Sequence, residues 1–411
     1  LMLQSRGLAA LVPPKQLTLT FSRSFCGLAT LSLLVTSKRM PRFFSISATN
    51  PCHLYDVAKE LNLRGYLNTY YSGYPRWKLR EPETMTIQTH SWRTLVVYGL
   101  LKTIPERYRF SNRSLFRWQD EAFDLAVSKN LCDKTSFVAV PGQALHSFRC
   151  AKQKGATTIL SHATGPLETW ITLVREEFKK AGIPFSSHAP VDEETVQQHR
   201  KEYAEADWHW APSRIVQSQL IAVGIPSEKI QVIPFGADSQ IFTKSNMTPT
   251  AKPKRILFAG QLTWRKGLRL LDRVIPLLPR EIEIECAGPF LEESREWVHC
   301  WSQDPRVSFL GPLSAVQLAQ KMKEARILIL PSVEESFGLV VPQALACGTP
   351  CLVSDCVGAQ DLIEPGINGE VIPSDSEEKW ASAILKWIEN PRQVEGRYDW
   401  KKTADLFLKV F

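Results

Sequence analysis

The stretch Leu328 to Ser354, LILPSVEESFGLVVPQALACGTPCLVS, constrains this chain more than any other. Its opening apolar run stops at Pro331, the pattern of a buried strand meeting a loop. Glu334 and Glu335 follow, then Ser336-Phe337-Gly338, and then Leu339, Val340, Leu345 and Ala346 at helical spacing until Gly348 ends the helix. Strand, acidic loop, helix and strand in that order place carboxylates beside the unpaired N–H groups of a helix start. Such a place offers an acceptor for hydroxyls and a cradle for an anion, which suits a sugar carried on a diphosphate.

This stretch resembles the signature of the family 4 glycosyltransferases, retaining nucleotide-sugar enzymes of the GT-B fold, in which two glutamates are separated by seven residues. Glu335 takes the first place, ESFGL and ALACGTP match closely, and Gln343 stands at the second place. The resemblance implies that Glu335 lies against the donor sugar, with Ser336, Phe337, Gly338 and Leu339 around the donor. It implies that position 343 holds the ribose hydroxyls, and Gln343 keeps hydrogen-bonding capacity there without the charge. A lone Glu335 would otherwise be a helix N-cap carboxylate. The resemblance runs from about Phe43 to Phe411, strongly over the second half.

A length of 411 residues suits two domains. The formal charge of +8 is concentrated at the start, where Arg6, Lys15, Arg23, Lys38, Arg39 and Arg42 precede the first acid, Asp56. The excess is weak evidence for nucleic acid binding, and no nucleic acid partner is expected. Residues 1–41 read as an extension, either an organellar transit peptide or upstream read-through before a true start at Met40. The nine cysteines show no CxxC pair, so no metal site and a reducing compartment are expected.

The first domain is expected over residues 42–242. It opens on a strand at RFFSISA, a glycine-free loop Thr49 to His53, and a helix stopped by Gly65. Residues 66–124 are the least regular. Tyr70, Tyr71, Tyr74, Trp77, Trp92, Tyr98, Tyr108, Phe110, Phe116 and Trp118 alternate with Arg76, Lys78, Arg80, Arg93, Arg107, Arg109, Arg113 and Arg117. Two readings stand level: a helical excursion with solvated cationic faces, or a surface for a lipid-phosphate-linked acceptor in peripheral membrane contact. Farther on, His162 ends the strand Thr157 to Ser161, at the sheet edge where α/β folds bind ligands. The resemblance puts a donor-facing His near this place, and a satisfied sheet-edge His is the alternative.

The second domain is expected over residues 254–397, after a polar linker with two prolines. Strand RILFA runs into Gly260-Gln261-Leu262-Thr263-Trp264-Arg265-Lys266-Gly267, the elements of a phosphate loop. In the family this loop usually carries Arg after its first Gly. Here Gln261 stands there, and Arg265 beside Lys266 supplies the charge. Lys266 matches the family's basic residue before the second Gly; alone it would read as a solvated lysine. The resemblance also places Gly311 and Leu313 near the nucleotide base and returns a final helix, 398–411, to the first domain.

The chain is thus expected to be α/β, with two Rossmann-like domains facing across a cleft. It is expected to move a sugar with retention from a nucleotide-sugar to a glycan, lipid-linked or small-molecule hydroxyl, without metal or other cofactor, in the cytoplasm. Glu335, Lys266 and His162 are its candidate catalytic residues. Glu334 and Glu335 are expected to point apart, which argues against a double displacement. A catalytically weakened scaffold and a GT-B nucleotide-sugar epimerase are the alternatives.

Overall fold

Apolar runs become the centres of two parallel sheets. The computed structural model describes residues 43–79, 82–103, 112–131, 135–180, 182, 193–396 and 398–411. The extension before Phe43, together with Arg80, Arg107, Tyr108, Arg109, Phe110 and the Arg113 side chain, lies outside the described residues.

The first sheet contains β1 (Phe44–Ala48), β2 (Leu67–Ser72), β3 (Ile87–Thr89), β4 (Ser136–Ala139), β5 (Thr158–Ser161), β6 (Trp208–Ala211) and β7 (Ile230–Val232), in the order β3-β2-β1-β4-β5-β6-β7. The second contains β8 (Arg255–Ala259), β9 (Glu283–Ala287), β10 (Val307–Gly311), β11 (Ile327–Leu330), β12 (Cys351–Ser354) and β13 (Gly369–Ile372), in the order β10-β9-β8-β11-β12-β13. Every pairing is parallel. Parallel sheets are covered by helices on both faces, which is why ILIL of β11 is buried at every position. Each sheet reverses strand order once, at β1/β4 and at β8/β11, and loops diverge there to leave a crevice at the carboxyl edge.

Residues 66–124 differ from expectation. They are not a purely helical excursion, because β2 and β3 extend the sheet beyond β1, followed by helices Trp92–Thr103 and Asn112–Ser128. In LNTYYS, Tyr70 and Tyr71 are both buried and point to opposite faces, so the strand carries two aromatic anchors among polar residues. The strand β13 likewise stands where the sequence reads only a turn.

The last helix, Trp400–Val410, starts at Asp399, whose carboxylate accepts the Lys402 N–H. It returns to the first sheet. Phe407 meets Phe44 with ring centroids 5.1 Å apart, and Arg64 pairs with Asp405 at 3.0 Å. Gly236 lets this return pass, since a Cβ there would lie 2.2 Å from the Asp399 carbonyl carbon. Residues 41–411 form one compact unit.

Candidate functional site

The loops after β8 and β11 meet because these strands are neighbours at the reversal point of the second sheet. Gly267 permits the approach. It holds φ 81°, and a Cβ would come 2.0 Å from the Pro331 carbonyl oxygen. Gly267→Ala is therefore expected to lower stability by about 1–3 kcal/mol from the left-handed backbone alone, and by more from the overlap. Urea unfolding would measure this, and an unchanged midpoint would contradict the close packing of the two loops.

Across this junction the Val333 N–H donates to the Arg265 carbonyl at 2.9 Å. Arg265 Nη1 donates to the Glu334 carbonyl at 3.0 Å and to Glu334 Oε2 at 3.1 Å, and it stands 3.8 Å from Glu335 Oε2. Lys266 Nζ forms a direct ion pair with Glu335 Oε2. Glu334 and Glu335 therefore do not point apart: both turn toward one guanidinium, whose long side chain spans them. Burial and Arg265 push the Lys266 amine down to about 7, against the pull of Glu334 and the contact with Glu335.

The backbone of the acidic loop is fixed from the far side. Glu335 N–H donates to Cys356, Gly358 N–H to the Glu335 carbonyl, and Ala359 N–H to that of Phe337. Ser336 is tied to the first sheet's side of the molecule. Its hydroxyl accepts from Gly165 N–H at 3.0 Å and donates to Glu334 Oε1 at 3.2 Å, while Ser213 Oγ donates to its carbonyl at 2.7 Å. Phe337 is buried with its ring 5.2 Å from Phe235, and Gly338 holds φ 94°. These cross-links were missed from sequence, where Ser213 signals only a helix start and Gly165 signals nothing.

The remaining candidates occupy the same carboxyl edge without joining this network. Gly260 follows β8 and its N–H donates to Ala287, and Gln261 is exposed. Gly311 ends β10 at the sheet's outer edge, with half-buried Leu313 just beyond. Leu339 immediately precedes the helix Val340–Ala346, and Gln343 is half-buried on it. That helix has only seven residues, so its dipole adds little to the two cations.

His162 is fully buried, and its Nδ1 finds no hydrogen-bond partner among the described residues. Its strand β5 is interior, and Tyr203 of the helix Glu193–Glu205 covers the ring at 5.4 Å. Fully buried, it shares a 3.0 Å hydrogen bond between its Nε2 and His209 Nδ1. Burial, assisted by His209, lowers its pKa well below the usual imidazole range. The end of β5 brings it to the right edge, but the neighbouring strands and helix close over it. His53 is likewise buried, hydrogen-bonded to Ser161 at 2.7 Å and stacked on Phe235.

Residues 253–390 match the family model described as glycosyl transferases group 1. The D-inositol 3-phosphate glycosyltransferase of Stackebrandtia nassauensis is 27% identical over 215 residues, 45% of this chain and 48% of that protein. The lipopolysaccharide 1,6-galactosyltransferase of Salmonella typhimurium is 29% identical over 209 residues, 47% and 56% of the two chains. The chain spans about half the length of the curated relatives it matches. Among solved structures, Anabaena HepE in complex with UDP and glucose aligns with 89% of this chain and 92% of its own, at TM-score 0.60 and 17% identity. Sucrose-phosphate synthase from Thermosynechococcus elongatus aligns with 90% and 94%, also at TM-score 0.60 and 17% identity. At those identities the likeness is one of fold, two Rossmann-like domains of GT-B type. Residues 253–390, which carry the two loops of the second sheet joined at Lys266 and Glu335, are thus similar to the glycosyl transferases group 1 family.

Proposed function

We propose that the chain transfers a sugar from a nucleotide-sugar to an acceptor hydroxyl, with retention at the anomeric carbon and without a metal ion. The observation that carries this reading is the pairing of Arg265 and Lys266 from one loop with Glu334 and Glu335 from the next, at the reversal point of the second sheet. The solved relative from Anabaena, which holds UDP and glucose, supports the choice of donor class.

The chemistry follows from the charges. Breaking the bond between the anomeric carbon and the diphosphate oxygen leaves negative charge on the diphosphate, and Lys266 and Arg265 stabilise it where it grows. The acceptor oxygen forms its bond to the same carbon on the face the diphosphate leaves, and its proton passes to the departing phosphate oxygen. Glu335 holds the cations in place before the donor arrives and accepts sugar hydroxyls afterwards. Gln343 fits the ribose hydroxyls. His162, neutral and covered, acts only by supporting the sheet edge. The acceptor is a glycan or lipid-linked sugar in the cytoplasm. Among the described residues no helix is long and apolar enough to cross a membrane.

Calorimetry against UDP-, GDP- and ADP-sugars tests the reading, and pH gives it a sign. An anionic donor binds the ammonium form of Lys266, whose pKa lies at about 7 in the free protein. Affinity is expected to be flat below pH 7 and to weaken by up to about tenfold per pH unit above it. Around pH 8 binding takes up a proton, seen as a buffer-dependent heat. Binding without proton uptake would remove Lys266 from the diphosphate, and no binding of any nucleotide-sugar would leave a scaffold role instead.

A further inference from the structure

The helix Trp92–Thr103, WRTLVVYGLLKT, is apolar on both sides. Thr94 and Val97 face inward and are buried, while Trp92, Leu95, Val96 and Leu100 remain exposed on the outer side, Trp92 at 61%. Their spacing of three, four and five places them on one face, with Gly99 and Lys102 between them and also exposed. A helix of this composition is ordinarily enclosed, so the outward face is an apolar strip in want of cover.

At the start of that strip lies a cavity of about 270 Å³ lined by Thr89, His90, Trp92, Arg93, Gln119 and Phe123 among others. Four polar atoms in or beside it are unspent. His90 Nε2, Arg93 Nε, Gln119 Oε1 and neighbouring Thr94 Oγ1 are buried and find no hydrogen-bond partner. Gln119 is 1% exposed, and its side-chain amide makes a long hydrogen bond, 3.4 Å, to Asp120. Buried polar groups left unpaired cost free energy, and so many around one hollow mark a place where a ligand supplies the missing bonds. The Arg93 guanidinium lies over Trp92 at 4.8 Å and over Trp118 at 5.1 Å, so its position is fixed by two indole rings. The cavity also borders the first turn of the helix, whose leading N–H groups have no intrahelical partners. A fixed cation and a helix start recognise an oxyanion, while the Gln119 carbonyl oxygen, an acceptor, calls for a hydroxyl on the group that carries that anion.

We propose that this hollow seats the phosphate head group of an anionic phospholipid, with the strip Trp92, Leu95, Val96 and Leu100 entering the acyl region of the same membrane. The charge of the cavity and the apolar strip are continuous at Trp92, which sits on both. An amphipathic tip flanked by basic side chains is the arrangement that lies in a membrane interface rather than across it. Beyond the strip, Lys78 stands over Tyr74 and Trp77, and Trp77 is exposed, so the same mixture continues along the surface. The site shares no residue with the junction of Lys266 and Glu335 and does not depend on the transfer reading.

The test uses the full chain in vesicle flotation, with phosphatidylcholine alone or with about a third phosphatidylglycerol. The protein is expected to float with the anionic vesicles and to stay behind with the neutral ones. Arg93→Ala is expected to weaken anionic binding about fivefold, the worth of one basic group near such a surface. Leu95→Asp with Leu100→Asp is expected to abolish it while leaving thermal unfolding unchanged, because both side chains are already exposed. Inorganic phosphate and a short-chain, monomeric phosphatidylglycerol form the other arm, followed by tryptophan fluorescence. Quenching by the monomeric lipid that Arg93→Ala removes would support the head-group seat. Equal response to phosphate with no flotation would assign the cavity to a free oxyanion and overturn the membrane, as would flotation unaffected by either variant.

Discussion

Lys266→Ala is expected to lower sugar transfer by about 10²–10³-fold, with most of the loss in kcat. The reason lies in when the charge is needed. In the bound donor the diphosphate already carries its charges and Arg265 still attends it, so the ground state loses only part of its attraction. As the anomeric bond breaks, one more negative charge builds on the leaving oxygen, and an interaction felt mainly there is lost from kcat. Lys266→Arg is expected to rescue poorly, because the ammonium occupies a largely buried place against Glu335, and a planar guanidinium does not present the same point charge. Single-turnover transfer together with calorimetric donor affinity separates the two effects. A variant with normal kcat and a raised Kd would make Lys266 a binding residue only. The variant also leaves Glu335 facing Arg265 alone, at 3.8 Å, so its unfolding must be measured beside its rate.

How much of this was legible in the sequence depended on where each element sits in its sheet. The strands β8 and β11 are central, buried on both faces, and therefore written as RILFA and ILIL, which no other structure explains as simply. The strand β2 is written LNTYYS, and the edge strand β3 as IQT, where solvent and loops satisfy polar side chains. Their apolar signal is too short to separate strand from loop. The site follows the same division. Lys266 and Glu335 each stand visibly after a strand, but 69 positions apart, and only the reversal of strand order at β8/β11 brings them together. That order is not spelled by periodicity and came from the family resemblance. His162 shows the opposite case: its place at the end of β5 was legible, whereas the closing over of His209 and Tyr203 depends on two other elements. The divergence expected of Glu334 and Glu335 assumed strand-like alternation, and the loop between Pro331 and Leu339 does not keep it.

Phe407→Ala is expected to destabilise the chain by about 3–5 kcal/mol, the cost of emptying a fully buried aromatic site. Phe407 belongs to a helix that follows the second domain in sequence, but its ring packs on Phe44 at 5.1 Å, on Trp210 at 5.2 Å and on Phe411 at 4.9 Å. The first two belong to β1 and β6, so the cavity would open beneath the first sheet. Urea unfolding should therefore move to a lower midpoint, or divide into two transitions with the earlier one belonging to the first sheet. Nucleotide-sugar binding should persist under conditions where the variant is folded, because Lys266, Arg265 and Glu335 lie in the second domain and do not touch this helix. Transfer should fall further than binding if it needs the two sheets held together, since the returning helix packs on the first sheet from the end of the second. A loss of under about 1 kcal/mol would mean that the site refills or that the helix contributes little to the first sheet in solution. Loss of binding together with stability would instead mean that the donor loops depend on the first sheet, through the hydrogen bonds of Ser336 with Gly165 and Ser213.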